Sequence, residues 1–67
     1  MIVKGIISSI NISNNAAEII LPEFDNAITA ELPFYNRSAV NANIGEFVII
    51  ALFNDGTDFS NGVILWN

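Results

Sequence analysis

Apolar and polar side chains alternate along most of this chain with a period of two residues. The clearest example is residues 16–21, where Ala17, Ile19 and Leu21 share one side and Glu18 lies on the other. Successive side chains of a β-strand point to opposite faces of its sheet, so this order favours one buried and one solvated face. The spacing of an amphipathic helix does not recur over any long window. The pattern therefore predicts strands, with little or no helix.

Turn residues divide the chain into five predicted strands. Ser13 begins a short polar turn before the second strand, and Asn61 precedes the last one. Pro22 ends the second strand because proline cannot donate to a β-ladder. The predicted strands are residues 2–12, 16–21, 27 to 32 or 34, 46–53 and 62–66.

The first and third strands carry more detailed predictions. In the first, Gly5 and the Ser8–Ser9 pair predict a bend or a bulge, which the long first strand of a small barrel needs. In the third, strict alternation predicts two opposite sets of side chains. One set is Ile28, Ala30, Leu32 and Phe34, and the other is Thr29 and Glu31.

The longest connection lies between the third and fourth strands. Residues 35–45 are polar, and the Asn-rich residues 36–44 within them are expected to hold one turn of helix at most. Five strands with the longest link at this place are the layout of a minimal OB-like barrel. Closure also suits an apolar sheet, because open edges promote aggregation. We therefore expect one OB-like all-β domain over residues 1–67, with a small SH3-like barrel as the alternative.

The last two strands are apolar on both faces. Alternation separates a first set, which includes Phe47, Ile49 and Phe53, from a second set. A barrel this small cannot hold both sets, so one of them is expected to contact another chain. Each large apolar side chain that is buried contributes about 1.5–3 kcal/mol, which favours association. The second set is the predicted subunit interface: Val48, Ile50, Leu52, Ile64 and Trp66.

Composition adds to the case for association. Of the 67 residues, 52% are hydrophobic and 13% are charged, whereas an average domain has about 25% charged residues. A domain of this size buries only about 60% of the surface of its unfolded chain. Twelve Ile and ten Asn fit strands and turns, although AT-rich codons would produce the same bias. The chain thus has more apolar surface than a single copy easily hides.

Charge and missing residue types exclude several classes of function. The formal charge is −5, and Lys4 and Arg37 are the only cations, which argues against binding of nucleic acid or of an anionic membrane. Without Cys or His, the chain has no disulfide, no thiolate metal site and no imidazole base. We therefore expect no cofactor and no metal. The sequence has neither an apolar run of about 20 residues nor the start of a signal peptide.

Acidic and amide residues are the remaining candidates for chemistry. Glu18 and Glu31 lie on adjoining predicted strands, and Glu23 and Asp25 follow Pro22. Without a nucleophile, a base or a recognisable pocket, a solvated face is the better interpretation, so we expect no enzyme. Residues 54–62 offer several oxygen ligands without the spacing of a calcium loop, and turn chemistry explains them better.

The aromatic residues are interpreted as packing groups. A base-stacking platform needs a basic groove, which this acidic chain lacks. Phe24 and Phe59 lie in predicted turns and are the expected surface anchors for a partner. Arg37, in the polar connection, either pairs with an acid across a subunit boundary or faces water.

Most of the chain resembles a known family when its segments are taken together. The segments are residues 17–26 (AEIILPEFDN), 31–33 (ELP), 44–56 (IGEFVIIALFNDG) and 61–65 (NGVIL). Their order and spacing resemble the OB domain of contractile-tail spike proteins, which are found in phage baseplates and in the related type VI secretion spike. The connection between the third and fourth strands is shorter than is usual in that family. A β-helical needle, which follows the barrel in many members, is absent from this sequence.

The resemblance implies a structural role. It implies a homotrimer on the axis of a contractile tail or tail-like bacteriocin, docked to a trimeric hub protein in the baseplate. A minimal spike, a plug in the hub and an adaptor for a separate tip protein all remain open. The expected location is the virion or tail-like particle, after assembly in the bacterial cytoplasm. The alternative function is a small monomeric OB-type module that binds a peptide or an oligosaccharide.

Overall fold

A computed structural model describes residues 1–53 and 59–65 of the chain. Two single 3-10 turns occur at Pro22–Phe24 and Ala39–Asn41, and the described residues include no α-helix and no helix suited to crossing a membrane. The all-β prediction is confirmed. The strands are β1 (Ile2–Asn11), β2 (Ala16–Leu21), β3 (Ala27–Ile28), β4 (Leu32–Pro33), β5 (Phe47–Leu52) and β6 (Gly62–Leu65).

The strands form one mostly antiparallel sheet in the order β3-β2-β1-β5-β6, with β4 paired to β2 outside this path. The long β1 is central and pairs with β2 on one side and with β5 on the other. The sheet order is that of an open sheet, so closure into a five-stranded barrel stays a prediction. The segment that directly follows β4 meets β6 at a single parallel bridge between Phe34 and Ile64.

The bulge expected in β1 is present. The pairing of β1 with β2 shifts between Ile7 and Ser9, so Ser8 is the extra residue. Before the bulge, Val3 and Ile7 are buried, whereas after it Ile10 packs against the core. An extra residue in a strand reverses the phase of its alternation. The bulge therefore lets both halves of this strand contribute to the same core.

The third predicted strand is divided into β3 and β4. Its predicted alternation is confirmed at Leu32 and Phe34, which are both buried, but it is wrong over residues 28–30. Ile28 is 56% exposed, while Thr29 is 2% exposed. The Thr29 hydroxyl accepts a hydrogen bond from the Ile19 backbone N–H at 3.0 Å and donates one to the Ala30 carbonyl at 2.7 Å. These two bonds satisfy the buried hydroxyl. They also hold Thr29 inward and so interrupt the strand between β3 and β4, which alternation alone could not predict.

The core lies on the inner side of the sheet. It includes the face of β5 and β6 that was predicted to be the subunit interface. Val48, Ile50, Leu52 and Ile64 are at most 3% exposed within one chain. Side chains that are already buried cannot provide a surface for a neighbour, so that interface prediction is wrong for these four residues. Trp66, its fifth member, lies outside the described residues. The buried core cluster is Val3, Ile7, Ala17, Ile19, Leu21, Leu32, Phe34, Ala39, Val48, Ile50, Leu52 and Ile64.

Strand register explains why that face is buried. Val3 of β1 pairs with Ile50, and Ile50 pairs in turn with Ile64 of β6. Paired residues of adjacent strands point to the same face of a sheet. Because Val3 points into the core, its partners in β5 and β6 are drawn into the same core.

Candidate functional site

The candidate site is the apolar side of β1, β5 and β6 that points away from the core, which we call the outer face. Alternation and register place its residues in adjoining rows, in which Ile2 pairs with Ala51 and Ile6 pairs with Phe47. Ile2 is 63% exposed and Phe47 is 60% exposed, and the other apolar members are half-buried. The outer face comprises Ile2, Lys4, Ile6, Phe47, Ile49, Ala51, Val63 and Leu65.

Lys4 is the one charged residue of the outer face. It pairs with Ile49, which pairs in turn with Leu65, so its nearest neighbours across the sheet are apolar. Its ammonium nitrogen lies 4.5 Å from the centroid of the Phe47 ring. A cation over an aromatic face is attracted by the ring quadrupole, which contributes about 0.5–1 kcal/mol at an exposed site. The interaction holds the positive charge against the apolar surface.

A groove of about 410 Å³ opens beside Lys4, where the 3-10 turn after β2 approaches the outer face. Glu23 lines the groove together with Lys4, and both side chains are exposed. Among the described residues, no carboxylate lies within 4.0 Å of the Lys4 ammonium, the only such ion pair being that of Arg37 with Glu46. The groove thus holds two opposite charges that are not joined to each other. Its lining residues are Lys4, Gly5, Pro22, Glu23 and Phe47.

The predicted partner anchors Phe24 and Phe59 contact each other. Their ring centroids are 5.3 Å apart with the planes tilted by 54°, and both half-buried rings pack against the core. The Phe59 carbonyl also accepts a hydrogen bond from the Ala30 N–H at 3.1 Å. The pair therefore covers one end of the core, and its role in contacting a partner stays a prediction.

Glu18 and Glu31, which lie on adjoining predicted strands, both accept hydrogen bonds from side chains of the β1–β2 hairpin. Glu18 accepts a hydrogen bond from the Ser9 hydroxyl at 2.9 Å. Glu31 accepts hydrogen bonds from the side-chain amides of Asn11, at 3.1 Å, and Asn14, at 3.3 Å. The bonds to Glu31 tie the hairpin to the connection between β3 and β4, whereas the Ser9–Glu18 bond joins the two strands of the hairpin. Within residues 1–53 and 59–65, no three acidic side chains are grouped so that they could hold a metal ion; most of the 54–62 segment lies outside that range.

Arg37 is engaged within its own chain. Its guanidinium lies 4.0 Å from the Glu46 carboxylate and donates to the Asn41 carbonyl at 3.0 Å. Glu46 in turn accepts a hydrogen bond from the Asn43 N–H at 3.2 Å. Arg37 and Glu46 therefore brace the long connection before β5, and Arg37 is already paired without a neighbouring subunit.

The sequence contained one signal for the outer face, and that signal was Lys4. A charged side chain between Val3 and Gly5 indicates which side of β1 meets solvent. Transferring that information to β5 and β6 required the register Lys4–Ile49–Leu65, which only the paired strands supply. Comparisons of the chain with protein-family models, curated proteins and solved structures find no match.

Proposed function

We propose that this chain is a self-associating structural component of a contractile tail baseplate. It would form the central spike or the base of the spike as a homotrimer docked to the tail hub. The observation that carries the proposal is the apolar outer face. The resemblance of residues 17–26 and 44–56 to the OB domain of contractile-tail spikes supplies the biological setting.

The outer face supports self-association because of its size and composition. Seven of its eight members are apolar and extend over three strands. Large exposed apolar patches on small proteins mark interaction surfaces. Burial of side chains such as Ile2 and Phe47 is worth about 1.5–3 kcal/mol each when it is complete. Together, several such contributions offset the rigid-body entropy that is lost on association.

Contacts at the two ends of the sheet support the proposed OB-like closure. The Tyr35 N–H donates to the Ile64 carbonyl at 2.9 Å, next to the parallel bridge of Phe34 with Ile64. The Ala30 N–H donates to the Phe59 carbonyl at 3.1 Å. A parallel contact between the third segment and the last strand is what an OB-like barrel requires at its closing point. The core would then be enclosed, with the outer face left for neighbours.

The mechanism that we propose is mechanical. A compact trimer would close the end of the tail tube and match the three-fold symmetry of a hub. Contacts between copies would add to the stability of a domain that is small on its own. Strand pairing that runs through β2, β1, β5 and β6 would resist load along a continuous hydrogen-bonded sheet.

The mass of the purified chain in solution tests the proposal. Light scattering after size exclusion should give three times the 7.3 kDa of one chain at micromolar concentration. Antibodies raised against the chain should label the baseplate end of tail particles from the strain that encodes it. A stable monomer, or particles labelled nowhere at the baseplate, would contradict the proposed role.

The groove beside Lys4 favours a second candidate, which is a monomeric OB-type module for a peptide or an oligosaccharide. Its apolar floor and two charged side chains, Lys4 and Glu23, are features of a small binding site. The two functions differ in the state of the chain in solution. A monomer that binds such a ligand with Lys4 protected from chemical modification would support the module and not the spike.

A further inference from the structure

The outer face and the groove at its edge carry one charge each that forms no ion pair within its own chain among the described residues. Lys4 has the Phe47 ring beneath it, and Glu23 at the edge of the same groove is exposed. Neither forms an ion pair within 4.0 Å among the described residues, where Arg37 and Glu46 are joined instead. A neighbour that covers this face would remove water from Lys4, and a charge that loses its water needs an opposite charge beside it.

Building on the proposed function, we propose that a second copy of this chain occupies the outer face and that Lys4 of one copy pairs with Glu23 of the next. In a three-fold ring, each contact would bring Lys4 of one copy beside Glu23 of the next, because each copy carries one charge of each sign. No additional anion or cation is then needed.

The overall charge points to the same occupant. At −5, copies of this chain repel one another, so a contact between them is favoured where opposite charges meet, as Lys4 of one copy and Glu23 of the next would. Lys4 is the cation that lies on exposed apolar surface, because Arg37 is paired with Glu46 in the long connection. An apolar surface centred on Lys4 and bordered by Glu23 complements itself in both charge and hydrophobicity.

Charge reversal tests the pairing directly. Lys4→Glu and Glu23→Lys should each weaken self-association by about tenfold or more, because each places like charges across a desolvated contact. The double variant Lys4→Glu with Glu23→Lys should restore most of it. Glu31→Lys is the control, since it changes net charge as Glu23→Lys does but lies beside the hairpin end of β1. Sedimentation equilibrium measures the dissociation constants, and circular dichroism checks that each variant folds.

The apolar part of the contact has its own test. Phe47→Ser should shift the mass toward one chain, whereas Ile12→Ser should not. Ile12 is similarly exposed, at 63% against 60% for Phe47, but it lies in the β1–β2 turn. Both side chains are more than half exposed, so neither change removes core packing.

The outcomes separate this inference from the proposed function. An assembled wild type whose mass is unchanged by Phe47→Ser and by both charge reversals would overturn the inference and leave the trimer standing. A double variant no better than the single ones would reject the Lys4–Glu23 pair. A monomeric wild type would overturn the inference and the proposed trimer together, and ligand binding by that monomer would favour the binding module.

Discussion

Thr29 and Ile19 are joined by a hydrogen bond that is buried inside the sheet. The Thr29 hydroxyl oxygen lies 3.0 Å from the Ile19 backbone nitrogen, and the two residues are 2% and 0% exposed. The hydroxyl takes the place of a backbone acceptor next to the short β3. Thr29 thus connects β2 to the segment that divides the third predicted strand in two.

Thr29→Val should lower the free energy of unfolding by about 1–3 kcal/mol. The change keeps the shape of the side chain but leaves the Ile19 N–H buried without an acceptor, and that unmet donor carries the cost. Urea denaturation followed by circular dichroism measures the difference. Thr29→Ser keeps the hydroxyl and should lose less. Equal stabilities of the valine variant and the wild type would show that the hydrogen bond contributes nothing.

Gly5→Ala should destabilise the fold by about 1–3 kcal/mol through overpacking. A methyl group at this position would overlap the Ile19 Cγ2 atom and lie 3.1 Å from the Ile20 carbonyl oxygen. The Ile19 side chain therefore occupies the space beside Gly5 that a methyl group at residue 5 would need. Thermal denaturation provides the measurement.

A double-mutant cycle identifies the origin of the Gly5 effect. Ile19→Ala removes the methyl group that Gly5→Ala would strike, so the two changes together should cost less than the sum of each alone. Strict additivity would mean that the alanine is disfavoured for a reason other than its contact with Ile19.

Ile50→Ala should lower the free energy of unfolding by about 2–5 kcal/mol, because it opens a cavity in the core. Ile50 is 0% exposed and pairs with Val3 and Ile64 on the inner side of the sheet. Val40→Ala, at a position that is 64% exposed, is the control and should change stability by about 0.5 kcal/mol or less. Chemical denaturation of both variants compares them. Similar small losses of stability at the two positions would show that Ile50 is not buried in the core of a single chain.

Asn15→Ala should lower the free energy of unfolding by about 2–3 kcal/mol. Asn15 has a positive φ of 52°, and its side-chain oxygen accepts a hydrogen bond from the Ala39 N–H at 2.6 Å. Alanine loses the acceptor for a half-buried donor and also strains the left-handed backbone.

Two further variants separate these contributions at Asn15. Asn15→Gly removes the strain and keeps only the loss of the hydrogen bond, so it should fall between alanine and the wild type. Asn15→Asp keeps an acceptor oxygen and should be the most stable of the three. Melting temperatures measured at neutral pH give the order, and an aspartate variant as unstable as alanine would argue against the Ala39 bond.

Side-chain alternation and turn residues allowed most strand positions to be predicted from the sequence. The β2 strand was predicted at its observed bounds because Ala17, Ile19 and Leu21 alternate with Glu18 and because Pro22 ends the ladder. The bulge near Ser8 was readable from small polar residues in an otherwise apolar strand. Residues 36–44 were expected to hold one helical turn at most, and they hold the 3-10 turn at Ala39–Asn41.

Alternation failed to predict the buried face in two places. In one the strand is apolar on both faces, and in the other the strand is interrupted. In β5 both faces are apolar, so Ile49 and Ile50 are equivalent in sequence, although one faces outward and the other is buried. At Thr29 a local hydrogen bond overrode the alternation, because a threonine hydroxyl can replace a backbone acceptor within a core. The ambiguity in β5, and not the break at Thr29, placed the predicted subunit interface on side chains that are buried in the core.

The sequence by itself determined that this protein is a β-sheet with more apolar surface than one small core requires, because alternation and turn residues act over a few neighbouring positions. Only the tertiary structure decided which surface is left over. That decision depends on register, since Val3 draws Ile50 and Ile64 into the core while Lys4 holds Ile49 and Leu65 outside. Pairing between strands that are distant in sequence, rather than the composition of any strand, placed the outer face.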